Sequence, residues 1–149
     1  MNKFISIKEI DISYSYGIAK AEREQITCSK DAFNVFSSRI ANSIEYKETF
    51  MLLVLNNSND ILGIKVVSEG GITATLVDVR LLFQTVLKAH GTAFIVCHNH
   101  PSGKLYPSDA DKSLTEKIKQ GAKALDLQFL DHLIITKTAF YSFADEQIL

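Results

Sequence analysis

The strongest constraint on the fold is how short the apolar runs are. The longest uninterrupted ones, residues 50–55 and 93–97, are of strand length, far short of the ~20 residues a helix needs to cross a bilayer. Between such runs, apolar residues recur at helical spacing. Phe33, Phe36, Ile40 and Ile44 follow Ser29, a residue type that caps helices. Leu81, Leu82, Val86 and Leu87 lie between Asp78 and Gly91, a start and a stop signal for a second helix. Leu114, Ile118 and Ala122 fall on one face of a third helix, opened by Ser108 and running to about residue 125. Turn-rich residues 56–60 join strands at 50–55 and 61–67 into a hairpin. Further strands are expected at 93–98 and 127–135, the last with a short partner at 139–143. Strands alternating with helices imply a mixed sheet covered by helices. The class is α/β.

At 149 residues the chain is the size of a single domain. Residues 5–14 alternate loosely, which divides it into an N-terminal arm or edge strand (1–28) and a main domain (29–149). With 46% hydrophobic and 22% charged residues, it has the apolar surface that a disordered chain lacks. Sixteen basic against 17 acidic residues give a net charge of −1, and no third of the chain is basic. Tight nucleic-acid binding usually needs a basic face, so DNA contact is expected to be weak. Two cysteines are too few for a disulfide framework or a thiolate metal cluster. No basic patch precedes an apolar core at the N-terminus, and the expected compartment is a reducing cytoplasm.

Chemistry concentrates at His98-Asn99-His100-Pro101-Ser102-Gly103 and Ser108-Asp109-Ala110-Asp111. In extended chain, positions i and i+2 project to one face, so His98 and His100 can reach one ion. Pro101 and Gly103 turn the chain away, and Asp111, in the first turn of the next helix, can swing back. Two imidazoles and a carboxylate are a common zinc set that leaves a fourth position for water. Each part also has an ordinary reading. Ser108-x-x-Asp111 is a helix capping box, and an acid suits the first turn of any helix. The joint occurrence, in order, of an apolar strand, two histidines, a turn and an acid-bearing capped helix favours a metal site.

The string His98-x-His100-Pro101, six residues, then Ser108-x-x-Asp111 resembles the motif of the JAMM (MPN-type) metallopeptidase superfamily. His98-Asn99-His100-Pro101-Ser102-Gly103 and Leu130-Asp131-His132-Leu133-Ile134-Ile135 resemble its RadC-like JAB branch. The resemblance implies a three-layer α/β/α sandwich with a cytidine-deaminase-like layout. It implies one Zn2+ per chain, with His98, His100 and Asp111 as ligands and Ser108 holding the oxyanion or substrate carbonyl. It also implies a glutamate general base ahead of the first core strand, where Glu48 stands; Glu45 and Glu69 are the competitors. A carboxylate beside activated water can act as base and then as acid. The function implied is hydrolysis of peptide or isopeptide-type amides, with an unidentified protein or peptide as substrate. Alternatives are a DNA-repair-associated or nuclease-like role and a non-catalytic MPN-type scaffold. A homodimer using residues 1–14 as an arm is a further expectation. A zinc deaminase is excluded, because the chain lacks His-x-Glu and Pro-Cys-x-x-Cys.

Other residues divide between site and scaffold. Ser102 and Asn99 either orient the ligands or form plain turn structure. Asp131-His132 interrupts an apolar strand and needs internal partners, either to fix an imidazole tautomer or as a core pair. His90, after a helix, reads as structural. Cys97 should point to the face opposite His98. Cys28 precedes the first helix, where a thiol pKa can be lowered.

Overall fold

Alternation along one strand decides which helix covers which side of the sheet. In the computed structural model, which describes residues 10–70 and 76–149, that strand is β1 (Thr49–Leu55), buried along its whole length. Met51, Leu53 and Leu55 face Phe33 and Phe36 of α1 (Ser29–Arg39). Phe50, Leu52 and Val54 face Leu82, Phe83 and Val86 of α2 (Val79–Lys88), together with Ile118 and Ala122 of α3 (Asp109–Ala124). A central strand buried on both faces reads as a continuous apolar run. The result is an α/β/α arrangement with α1 on one side and α2 and α3 on the other.

The remaining strands are β2 (Ile61–Glu69), β3 (Ala93–Asn99), β4 (Gln128–Ile135) and β5 (Phe140–Ser142). Their order in the sheet is β2-β1-β3-β4-β5. Three pairings are antiparallel; β3 and β4 run parallel, joined by the α3 crossover. That crossover brings the carboxyl end of β3 next to the amino end of α3, where open α/β sheets commonly bind ligands. A close approach holds α3 in place: a Cβ on Gly121 would lie 2.4 Å from a ring carbon of Phe83. Only glycine lets α3 sit so near α2.

The first helix differs from its expectation at both ends. Cys28, not Ser29, occupies the N-cap, and the Asp31 carboxylate accepts the N–H groups of Thr27 (2.9 Å) and Cys28 (3.2 Å). At the other end the helix stops at Arg39, while Ile40 and Ile44 stay buried in the turns that follow. Their apolar spacing continues past the point where the backbone bonds change. The expected arm falls partly on residues 1–9, which lie outside the described residues. Within 10–28 there is a 3-10 turn at Lys20–Glu22 and one isolated bridge, Gln25 to Asp60. None of the described helices is long and apolar enough to cross a membrane.

Candidate metal centre

The end of β3 places His98 and His100 on one face, as strand periodicity requires. His98 is 2% exposed, lies opposite Phe50 in the register, and stacks on its ring at 6.0 Å. The His100 N–H donates to the Ile135 carbonyl at 3.0 Å, which carries the β3–β4 ladder one residue beyond the strand. Gly103, in the left-handed region at φ +79, then turns the chain back toward α3. Ser108 caps that helix in a reciprocal box. Its hydroxyl accepts from Asp111 N at 3.1 Å and donates to Asp111 Oδ2 at 2.7 Å, while its own N–H reaches the same oxygen at 2.7 Å. The cap thus aims Asp111 across the loop. Asp111 Oδ1 lies 3.1 Å from His98 Nε2, and Oδ2 lies 3.7 Å from His100 Nε2. Among the described residues, His98, His100 and Asp111 form the one cluster able to hold a metal ion.

The proton positions follow from acceptors that have no choice. His100 Nδ1 lies 2.6 Å from the Lys104 carbonyl, which can only accept, so Nδ1 carries a proton and Nε2 is the nitrogen turned to the cluster. Thr115 Oγ lies 2.7 Å from the Asp111 carbonyl, and the only proton available between those oxygens is the hydroxyl's own. Thr115 Oγ must then accept the proton of His132 Nδ1, 2.7 Å away. Burial holds the His132 pKa well below its ordinary value, and with its proton on Nδ1 the ring presents Nε2 as an acceptor. His98 Nδ1, 2.9 Å from that nitrogen, therefore carries a proton and turns Nε2 toward Asp111.

His98 Nε2 and His100 Nε2, 2.9 Å apart, thus face a carboxylate oxygen. Lone pairs on all three atoms converge where a proton or a metal cation can be shared among them. Neutral imidazoles with a carboxylate are metal-ligand chemistry, so the residues present fit a divalent ion. Burial opposes ionisation of Asp111, but the bonds and charge of His98 and the bonds of Ser108 outweigh it and hold its pKa far below the usual carboxylate range. The acid is ionised, as a ligand must be.

Glu48 and Ser108 border the cleft of about 280 Å³ into which the cluster opens, with Phe50, Val77 and Leu114 as apolar walls. Glu48 also borders a neighbouring hollow with Glu45, His100 and Ser102. Asn99 points away from the ligands and is fully bonded. Its amide donates to the carbonyls of Ile44 and Lys47, both at 2.8 Å, and accepts Thr49 N–H at 2.8 Å. It clamps the turn that carries Glu48 to the end of β3. Glu45 pairs with Lys137 and Glu69 with Lys47. Asp131 and Cys97 face the other side of the sheet, and His90 terminates α2 at φ +57. Cys28 is exposed. Thr115 was not anticipated, although its place four residues after Asp111 on one helix face was a readable signal.

The RadC-like JAB domain model matches residues 26–148. The chain belongs to the RadC-like JAB family. UPF0758 proteins resemble it: that of Flavobacterium johnsoniae is 50% identical over 125 residues, 84% of this chain and 54% of the relative. That of Pelodictyon phaeoclathratiforme is 34% identical over 149 residues, 99% and 64% respectively, and that of Porphyromonas gingivalis 38% over 128 residues, 85% and 56%. The chain spans roughly half to two thirds of the length of the curated relatives it matches. The match to this RadC-like JAB domain contains the whole histidine–aspartate cluster, Glu48 and the His132–Thr115 pair.

Proposed function

We propose that this chain is a metal-dependent hydrolase of peptide or isopeptide-type amide bonds, with His98, His100 and Asp111 holding one Zn2+. The observation that carries this reading is the convergence of ligand atoms of His98, His100 and Asp111 at the base of an open cleft that Glu48 borders. A divalent ion bound there supplies Lewis acidity, polarising a carbonyl and lowering the pKa of water from ~15.7 toward about 7. Glu48 takes the proton of the attacking water on its carboxylate as the water oxygen bonds to the amide carbon. When the C–N bond breaks, the same carboxyl returns that proton to the leaving nitrogen. Ser108 spends its hydroxyl proton on Asp111 Oδ2. Turned outward, that proton reaches the oxygen of the scissile carbonyl. Phe50, Val77 and Leu114 exclude water on one side of the reacting bond.

The deciding measurement is zinc stoichiometry beside hydrolysis of a peptide and isopeptide library, for wild type, His100→Ala and Glu48→Gln. The expected result is one zinc in wild type and none in His100→Ala. Glu48→Gln keeps its zinc, and its turnover falls by about 10²–10⁴. A folded wild type without zinc would sink the hydrolase reading and favour a scaffold. Cutting of DNA but not of peptides would reassign the scissile bond.

A further inference from the structure

We propose that His132 and Thr115 are positioning residues for the metal centre, which together lock His98 in the tautomer that presents a bare Nε2. The proposal rests on the metal reading above and extends it one layer outward, to side chains that touch neither metal nor substrate.

The geometry is a closed ring in which three links are hydrogen bonds. It runs from His98 Nδ1 to His132 Nε2 (2.9 Å), from His132 Nδ1 to Thr115 Oγ (2.7 Å) and from Thr115 Oγ to the Asp111 carbonyl (2.7 Å). It returns through the Asp111 side chain, whose Oδ1 lies 3.1 Å from His98 Nε2. Strand β3, strand β4 and helix α3 each contribute to the ring, so it ties one ligand's strand to another ligand's helix. Metal-ligating histidines usually give their second N–H to a carboxylate, a backbone carbonyl or water. His100 does so through Lys104. His98 instead gives it to another imidazole, which accepts only while its own proton points elsewhere.

That condition makes Thr115 decisive. His132 is fully buried and Thr115 is 4% exposed, so no bulk water can replace either partner. The His132 ring is held between Phe143, stacked at 4.7 Å, and the edge of Phe50, with centroids 5.8 Å apart. It cannot turn to another partner without displacing both. In Thr115→Val a methyl takes the place of the hydroxyl, and a proton on His132 Nδ1 has no acceptor. The proton then moves to Nε2 and confronts His98 Nδ1. His98 must answer by carrying its own proton on Nε2, the atom the metal needs. Thr115→Ser keeps the hydroxyl and with it the original direction of the ring.

The test is zinc affinity of the full chain, measured by competition with a chromogenic chelator, beside histidine tautomers from 15N NMR. Thr115→Val should bind zinc about 10–100-fold more weakly than wild type. Thr115→Ser should bind close to wild type. In the wild-type spectrum, His132 should carry its proton on Nδ1, and in Thr115→Val on Nε2. Equal affinity in wild type and folded Thr115→Val overturns the proposal, as does a Thr115→Ser that is as weak as the valine. If Thr115→Val does not fold, the wild-type spectrum decides alone, and a proton on His132 Nε2 overturns the proposal. A wild type that takes up no zinc fails the metal reading itself, whereas the other adverse results leave that reading standing.

Discussion

A half-buried carboxylate, Asp111, and a buried one, Asp131, sit on opposite faces of the sheet in almost the same local dress. Asp111 accepts the Ser108 hydroxyl and N–H, both at 2.7 Å. Asp131 accepts the Ser142 hydroxyl at 2.5 Å and the N–H groups of His132 (2.7 Å) and Ala144 (3.0 Å). Yet their pKa values move in opposite directions. Burial raises both, but Asp111 also gains the bonds and charge of His98 and ends far below its ordinary value. For Asp131 burial wins over its neutral donors, and the charge of Asp145 pushes the same way, so its pKa is raised. A serine–carboxylate pair with backbone donors is therefore only scaffold. What makes a site of Asp111 is an oxygen left facing the imidazoles.

The sharpest way to break the comparison is to neutralise each acid in turn. Asp111→Asn removes the charged ligand and should cost more zinc affinity than the roughly 10–100-fold typical of an outer partner. Asp131→Asn should leave zinc binding close to wild type, because its oxygens are spent on backbone and serine. Comparable losses in both would mean that the ion is not held where the lone pairs converge. A milder effect is expected at Asn99, which like Asp131 is a buried polar side chain spent on the backbone. Asn99→Leu orphans one N–H and two carbonyls, each such buried group costing about 1–3 kcal/mol. Denaturant unfolding should record that loss. Zinc stoichiometry should stay at wild type while hydrolysis falls, since the turn carrying Glu48 is freed and the ligands are not.

These cases mark how far the sequence reaches. The His98–His100 pairing was legible because strand periodicity alone puts i and i+2 on one face. Asp111 was legible as the acid of a capping box, and the α/β class as apolar runs of strand length between helical segments. Asn99 was not, because its partners, Ile44, Lys47 and Thr49, are about fifty residues away and meet it only in the folded sheet. The end of α1 was missed for the same reason. Ile40 and Ile44 keep helical spacing, but past Arg39 the backbone runs in turns, whose Ile44 carbonyl is bonded by the distant Asn99. His132 could be singled out as a polar residue in an apolar strand, whereas the direction of its protons depends on Thr115 and a carbonyl in another element.

The finest expected effect is a difference in the pH dependence of stability, and its sign follows from linkage. Stability rises with pH wherever the unfolded chain binds more protons than the folded one. For Asp111 that window lies between its lowered folded value and the ordinary carboxylate value of 3.8, so its contribution is lost as the solution is acidified below 3.8. For Asp131 the window lies on the other side, from 3.8 up to its raised folded value, and there the folded chain binds more protons. Its contribution is complete below 3.8 and is lost as pH rises through the raised value. In chelator-treated protein, unfolding free energies should therefore fall less steeply above pH 3.8 in Asp131→Asn than in wild type. Asp111→Asn should flatten the acid limb below that point instead. Identical profiles in Asp131→Asn and wild type would mean that the Ser142, Ala144 and His132 donors offset its burial completely, and the contrast between the two acids would then rest on the imidazoles alone.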